Sequence, residues 1–178
     1  METTKNKIPE SAKLFFDNLS EYLDTKLLYF GSVQRDDFFP GKSDIDIDIF
    51  TENIDSTIAK MQQKMQISKN KFKKIVWRLR YNGRMVNGYK TQYTDPNGEF
   101  IAEFSIYNSK FKDDVLVEHI GKTIVPFYVT WMLLFLKVLY YNLGIISKNV
   151  FNYSKKKILS ICLGTPDDEF IVLDPKLK

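Results

Sequence analysis

In 178 residues the chain has one cysteine, Cys162, and one histidine, His119. A single thiol excludes an internal disulfide framework and a thiolate metal cluster, and it fits a reducing compartment. The lone His119 has no evident partner in the sequence and reads as a structural or surface residue rather than a catalytic one. Internal repeats, low-complexity linkers, and disordered or collagenous compositional bias are also missing. The opening METTKNKIPESAK lacks the apolar core of a signal peptide, so the expected location is cytoplasmic or nuclear. Residues 124–146 are strongly apolar. Their uncharged run nevertheless stops at Leu136, before Lys137, short of the ~20 residues that a bilayer span needs. The segment is therefore expected to be a buried core helix and not a membrane span.

Hydrophobic residues make up 44% of the chain and charged residues 27%, which is the balance of a water-soluble fold of ordinary domain size. The net charge of +4 is compatible with anionic partners without demanding one. Apolar residues recur at helical spacing from Pro9 to Leu23, and Pro9 suits a helix start. The short run Lys26, Leu27, Leu28, Tyr29, Phe30 reads as a buried strand that ends at Gly31, with Ser32 able to cap the next turn. After the turn signal Pro40-Gly41, residues 44–50 alternate. Asp44, Asp46 and Asp48 fall on one strand face and Ile45, Ile47 and Ile49 on the other. A helix over 54–66 is expected to cover the isoleucine side.

Strands are then expected at 72–81, 85–94 and 99–107, joined by turns at Asn82-Gly83 and at residues 95–98. The first carries Ile75, Trp77, Leu79 and Tyr81 on its apolar side and Lys74, Arg78 and Arg80 on a basic side that suits an anionic substrate. Glu99, Glu103 and Ser105 lie opposite the apolar side of the third. Beyond residue 110 the pattern turns helical, with helices over about 126–142 and over 148–163. The organisation expected is an α+β core at 1–110 and a helical region at 111–178 packed on it.

The chemistry is concentrated in residues 30–46. Two carboxylates at i and i+2 of one strand lie about 6.5–7 Å apart at Cα on the same face, so their oxygens can share divalent ions. Transfer of phosphoryl or nucleotidyl groups needs such ions, and oxygen ligands favour Mg²⁺ or Mn²⁺. Glu103 is the leading third carboxylate, with Glu99 and Asp48 as alternatives. Arg35 and Lys42 flank the spacer where they can reach phosphates, Lys90 is a weaker candidate for the nucleotide, and Lys155, Lys156 and Lys157 form a second basic cluster.

Phe30-Gly31-Ser32, an eleven-residue spacer, and Ser43-Asp44-Ile45-Asp46-Ile47 together resemble the nucleotidyltransferase superfamily that includes the palm of DNA polymerase beta. The resemblance implies a mixed β-sheet flanked by helices with a helical C-terminal segment. It also implies that Asp44 and Asp46 hold the metal, that Glu103 is the third ligand and a base, and that Gly31 and Ser32, with Ser43 beside them, grip the triphosphate. The expected activity is metal-dependent transfer of a nucleoside monophosphate from a triphosphate such as ATP to an acceptor hydroxyl, with a nucleic-acid 3′ end among the acceptors. A stand-alone transferase acting on a protein or small molecule, and a nucleotide-binding module without turnover, are the alternatives. Oligomeric state is left open.

Overall fold

Pro9 has an extended backbone that cannot continue a helix backwards, and α1 (Glu10–Leu23) starts directly after it. Ala12, Phe16, Leu19 and Leu23 form its buried stripe, and Asp24 ends it in the left-handed conformation. The next apolar run is β1 (Leu27–Phe30), and the alternating acidic run is β2 (Ile45–Thr51). Asn53 accepts the Ser56 N–H at 3.0 Å and so caps α2 (Ile54–Met65). Strands β3 (Lys73–Arg78), β4 (Met85–Thr94) and β5 (Ile101–Asn108) form the expected antiparallel meander. Then come α3 (Lys112–Thr123), α4 (Phe127–Lys137), one π turn over Val138–Asn142, α5 (Lys148–Leu163) and β6 (Phe170–Leu173). This computed structural model describes residues 1–163 and 170–173. Residues 164–169 and 174–178 of the expected helical region lie outside that set.

The sheet is mixed, in the order β1, β2, β5, β4, β3, β6. Strand β2 pairs antiparallel with β1 and parallel with β5, so the chain crosses over through α2 and the meander between them. One sheet face carries Ile45, Ile47, Ile49, Ala102, Phe104 and Ile106. It is buried under α1 and α2 with Phe16, Leu19, Ile58 and Met61, each apolar side chain contributing about 1.5–3 kcal/mol by burial. The other face holds Leu28, Ile75, Trp77 and Tyr107 under Val115 of α3. That cover reaches Asp48 through His119, and the row of side chains beyond it, at Asp46, stays partly accessible. The site therefore sits at the uncovered end of an otherwise covered sheet face.

Three expectations change. Tyr81 falls in the loop after β3, is 49% exposed, and gives its hydroxyl to Asp114, so it leaves the apolar row to which alternation assigned it. The region after residue 110 is not wholly helical, because β6 adds an antiparallel strand to β3 and makes a sixth strand of the core sheet. The apolar segment at 124–146 does not make a buried helix. Phe127, Trp131 and Phe135 of α4 are 78%, 67% and 65% exposed, whereas the single charge, Lys137, is 3% exposed. Lys137 is buried because it has an ionic partner below it, which hydropathy alone does not reveal. No described helix is long and apolar enough to cross a membrane.

Candidate active site

Gly31 opens a 3₁₀ turn, Gly31–Gln34, at φ +70°, a left-handed conformation that glycine adopts without strain. A Cβ at this position would lie 2.1 Å from Asp46 Oδ2. The turn and the second acid of the motif are thus in direct contact, because Phe30 is the register partner of Asp46 in the β1 and β2 pair. Gly31→Ala is expected to push the Asp46 carboxylate aside and lower Mg²⁺-dependent nucleotide affinity at least tenfold, read by calorimetry, while the protein still folds. Ser32 is a buried member of the turn, which has Phe30 at its N-cap position and no side-chain cap, contrary to expectation. The amino-terminal segment clamps the same turn. Asn6 Nδ2 donates to Val33 O and Arg35 O at 3.0 and 2.6 Å, and Gln34 Nε2 donates to Thr3 O at 2.6 Å.

Asp44 immediately precedes β2, Asp46 lies within it, and Glu103 on β5 is the register partner of Asp46. The two alternatives for the third acid are engaged elsewhere. Glu99 accepts from the Ser11 hydroxyl of α1, and Asp48 is 1% exposed with Oδ2 at 2.6 Å from His119 Nδ1. His119 therefore has a partner, which the sequence reading missed. It is stacked between Phe30, at 4.2 Å between ring centroids, and Trp77, at 5.6 Å. Asp48 is thereby removed from the acidic row, its carboxyl facing an imidazole within the core.

Burial and then the Asp44 and Glu103 carboxylates push the Asp46 carboxyl up from its usual range to about 7. Lys90 bridges to Glu103 at 2.6 Å. Burial works against the Lys90 ammonium, but Glu103, Asp46 and Asp44 outweigh it and raise its pKa. Two carboxylates that raise the proton affinity of a third, one of them holding an ammonium, make a donor set that suits a hard cation. Among the described residues no three acidic, histidine or cysteine side chains converge closely enough in this arrangement to hold an ion. The fit therefore rests on donor chemistry and repulsion, with the Lys90 ammonium on the Glu103 oxygens.

Beside Asp44 opens a cleft of about 220 Å³ whose walls include Lys42, Tyr140, Tyr141, Lys148, Phe151 and Lys155. Lys42 Nζ donates to Tyr141 O and Asn142 Oδ1, both at 3.2 Å, which ties the loop before Asp44 to the π turn. Burial, then Asp44 and Tyr140, push the Tyr141 hydroxyl up to about 12. Of the basic cluster at 155–157, Lys155 lines this cleft and is one of the charges opposing the upward shift at Asp46.

The remaining expected ligands point elsewhere. Arg35 is buried and forks onto Asp37, with Nε to Oδ1 at 2.8 Å and an Nη to Oδ2 at 3.2 Å, so it does not reach toward phosphates. Lys137 reaches the same carboxylate at 3.0 Å and also donates to Asp37 O and to Ser43 Oγ. The Ser43 hydroxyl additionally accepts the Phe39 N–H at 3.1 Å, so it braces the loop before Asp44. Asp37 and Lys137 were not expected at the site, although a lone lysine in an apolar helix was a signal that a buried acid must face it. Of the three basic residues expected on one side of this strand, Arg80 lies in the loop after β3 and is held by Glu118, Arg78 donates to Gly83 O, and Lys74 is exposed.

The family model described as nucleotidyltransferase domain matches residues 12–103, which contain the turn, both motif acids and Glu103. No curated protein matches the chain significantly. Among solved structures it is similar to the conserved protein GrpB from Enterococcus faecalis, at TM-score 0.49 and 14% identity over 89% of this chain and 96% of that one. It is also similar to the polymerase core of TRAMP, an RNA surveillance complex, at TM-score 0.43 and 17% identity over 86% and 48% of the two chains. For the Cid1 poly(U) polymerase the values are 0.39 and 19% over 74% and 41%. The chain thus spans nearly the whole of the first structure and less than half of either polymerase.

Proposed function

This chain belongs to the nucleotidyltransferase domain family, and on that premise we propose that it moves a nucleoside monophosphate from a nucleoside triphosphate to an acceptor hydroxyl. One observation carries the reading. Asp44 stands at the junction between a lysine-lined, aromatic cleft and the carboxylate row of Asp46 and Glu103, with Gly31 pressed against that row. Asp44, Asp46 and Glu103 would hold divalent cations, Mg²⁺ or Mn²⁺. When bound, such ions neutralise the triphosphate and lower the pKa of the attacking hydroxyl.

The chain's own residues supply the rest. Lys42, Lys148 and Lys155 offer cations to the triphosphate, and the Tyr140, Tyr141 and Phe151 rings offer a wall for the base. The tight Gly31–Gln34 turn offers its backbone N–H groups to the phosphates, and the absence of a Cβ at Gly31 leaves room for the Asp46 carboxylate beside them. Glu103, paired with Lys90 at 2.6 Å, orients the acceptor hydroxyl and accepts its proton. Arg35 and Ser43 hold the loops and take no part in binding in this scheme.

The test is incubation with Mg²⁺ and each α-labelled triphosphate in the presence of RNA, DNA and protein acceptors. Label transfer that is lost in Asp44→Ala is the expected result. Tight nucleotide binding without transfer to any acceptor would instead assign a binding module.

A further inference from the structure

The inward side of α4 is fixed and its outward side is exposed. Val129, Leu133 and Leu136 are buried beneath it, and Lys137 pins its end to Asp37 and Ser43, so the helix has little freedom to turn. Outward, Phe127, Trp131 and Phe135 recur every fourth residue and make one ridge, with Tyr128 and Met132 in the ridge beside it. Phe127 and Tyr128 meet edge to face at 6.0 Å between ring centroids, so the two ridges are continuous. Ile124, just before the helix, extends the patch and is 75% exposed. No charged residue falls between Ile124 and Leu136.

The size of this patch decides what it can cover. A whole aromatic side chain presents about 150–250 Å², so the uncovered parts of the four rings, with Ile124 and Met132, come to roughly 600–800 Å². The largest apolar patch of a lone protein is usually about 300–600 Å², and a stable complex hides about 800 Å² on each partner. The patch thus matches one half of an interface. Its composition agrees, since aromatic rings and Met without charge are what the buried centre of an interface contains. A helix that lies on anionic lipid instead carries lysines beside its apolar stripe, and the one lysine of α4 is turned into the core. A face without charge meets its own copy with no repulsion, and twofold dimers are the commonest assemblies.

We propose that this face of α4 joins two copies of the chain in a twofold dimer. Trp131 stands midway along its ridge, so at the axis the ridge of Phe127, Trp131 and Phe135 packs beside the same ridge of the second copy. Ridges of this spacing interdigitate when two helices cross at about −50° with axes about 8–10 Å apart. Trp131, a large ring at the centre of the patch, is the expected hot spot. None of these side chains lines the nucleotide cleft, so the dimer and nucleotidyl transfer stand or fall separately. Even so, α4 runs directly into the π turn that carries Tyr140 and Tyr141, and the interface and one wall of that cleft belong to one continuous segment.

The experiment is sedimentation velocity of the full chain across a concentration series, in reducing buffer so that Cys162 cannot link copies. Acrylamide quenching of the two tryptophans is measured on the same samples. Trp77 is 1% exposed, so quenching reports on Trp131. The expected result is a dimer in which Trp131 is shielded from acrylamide. It weakens about thirtyfold or more in Trp131→Glu and in Phe135→Glu, but not in Leu14→Glu, which places the same charge on an exposed apolar position of α1. A monomer at every concentration, a dimer with Trp131 open to acrylamide, or a dimer that both α4 variants leave intact overturns the proposal. Flotation with phosphatidylserine vesicles, by a protein that stays monomeric and loses flotation in Trp131→Glu, assigns the face to lipid and overturns it too. Quenching needs only wild type, so it decides the matter even where a variant fails to fold.

Discussion

Asp46→Asn is expected to lower nucleotidyl transfer by about 10³-fold or more, while raising the melting temperature of the metal-free protein at pH 8. The two effects share a cause. Burial and the charges of Asp44 and Glu103 hold the Asp46 carboxyl near 7, far above its usual range, so ionising it in the folded protein is costly. For a group whose pKa rises on folding, the protonated form is favoured in the native state. Its contribution to stability is present at low pH and is lost as pH climbs from the ordinary carboxylate range through about 7. The amide removes that loss. A divalent cation bound as proposed would relieve the same repulsion in the wild type and could not do so equally in the variant. The amide also withdraws a charge from the proposed metal position, where a bound ion would supply several kcal/mol of transition-state stabilisation, which corresponds to about three orders of magnitude or more in rate. Thermal melts of both proteins at pH 5 and pH 8, with and without Mg²⁺, check the stability half. Equal pH slopes in the two metal-free proteins would contradict it.

Asp37→Ala is the variant expected to harm folding most. Arg35 at 8% and Lys137 at 3% exposure both point at this one carboxylate, so its removal leaves two buried cations facing each other. Breaking such a set costs on the order of 3–5 kcal/mol, or roughly 10 °C in melting temperature for a domain of this size. Burial raises the Asp37 carboxyl, but Arg35 and Lys137 together overcome that and hold it below the usual range. Its stabilising contribution is therefore present above that range and fades as pH falls through the lowered value. Lys137→Met should cost less, since Asp37 retains Arg35. Urea unfolding of the two variants gives the order, and a larger loss for Lys137→Met would show that α4 docks through something other than this ion cluster. The cluster also joins Arg35, at the end of the glycine turn, to Ser43, just before Asp44. Damage here should therefore weaken nucleotide binding even under conditions where the variant stays folded.

Periodicity carried the regular elements. The alternation at 44–50, the isoleucine face beneath α2, the meander and the helix at Lys148–Leu163 were all legible, because each follows from which residues can share a buried face. The glycine turn and the acids at Asp44 and Asp46 were legible from spacing, and the contact between Gly31 and Asp46 explains why such spacing is needed. Partners distant in sequence stayed hidden. His119 lies 71 residues from Asp48, and Lys137 lies 100 from Asp37, so each lone charge or ring looked unpaired until the sheet and helices brought its counterpart near. The buried partner of Lys137 also explains the misreading of α4. Its charge is the inward side, and its aromatics are the outward one. Arg35 resembled a phosphate ligand for the same reason, because nothing in its neighbourhood announced that Asp37 would be buried with it.

Calorimetric titration of nucleoside triphosphate into the wild-type protein, with and without Mg²⁺, tests most directly whether this carboxylate row and its lysine cleft form a nucleotide site. The expected result is saturable binding that strengthens at least tenfold with Mg²⁺ and loses that gain in Asp44→Ala. Triphosphate binding that ignores Mg²⁺ and the Asp44 substitution, or no binding at all, would contradict the account.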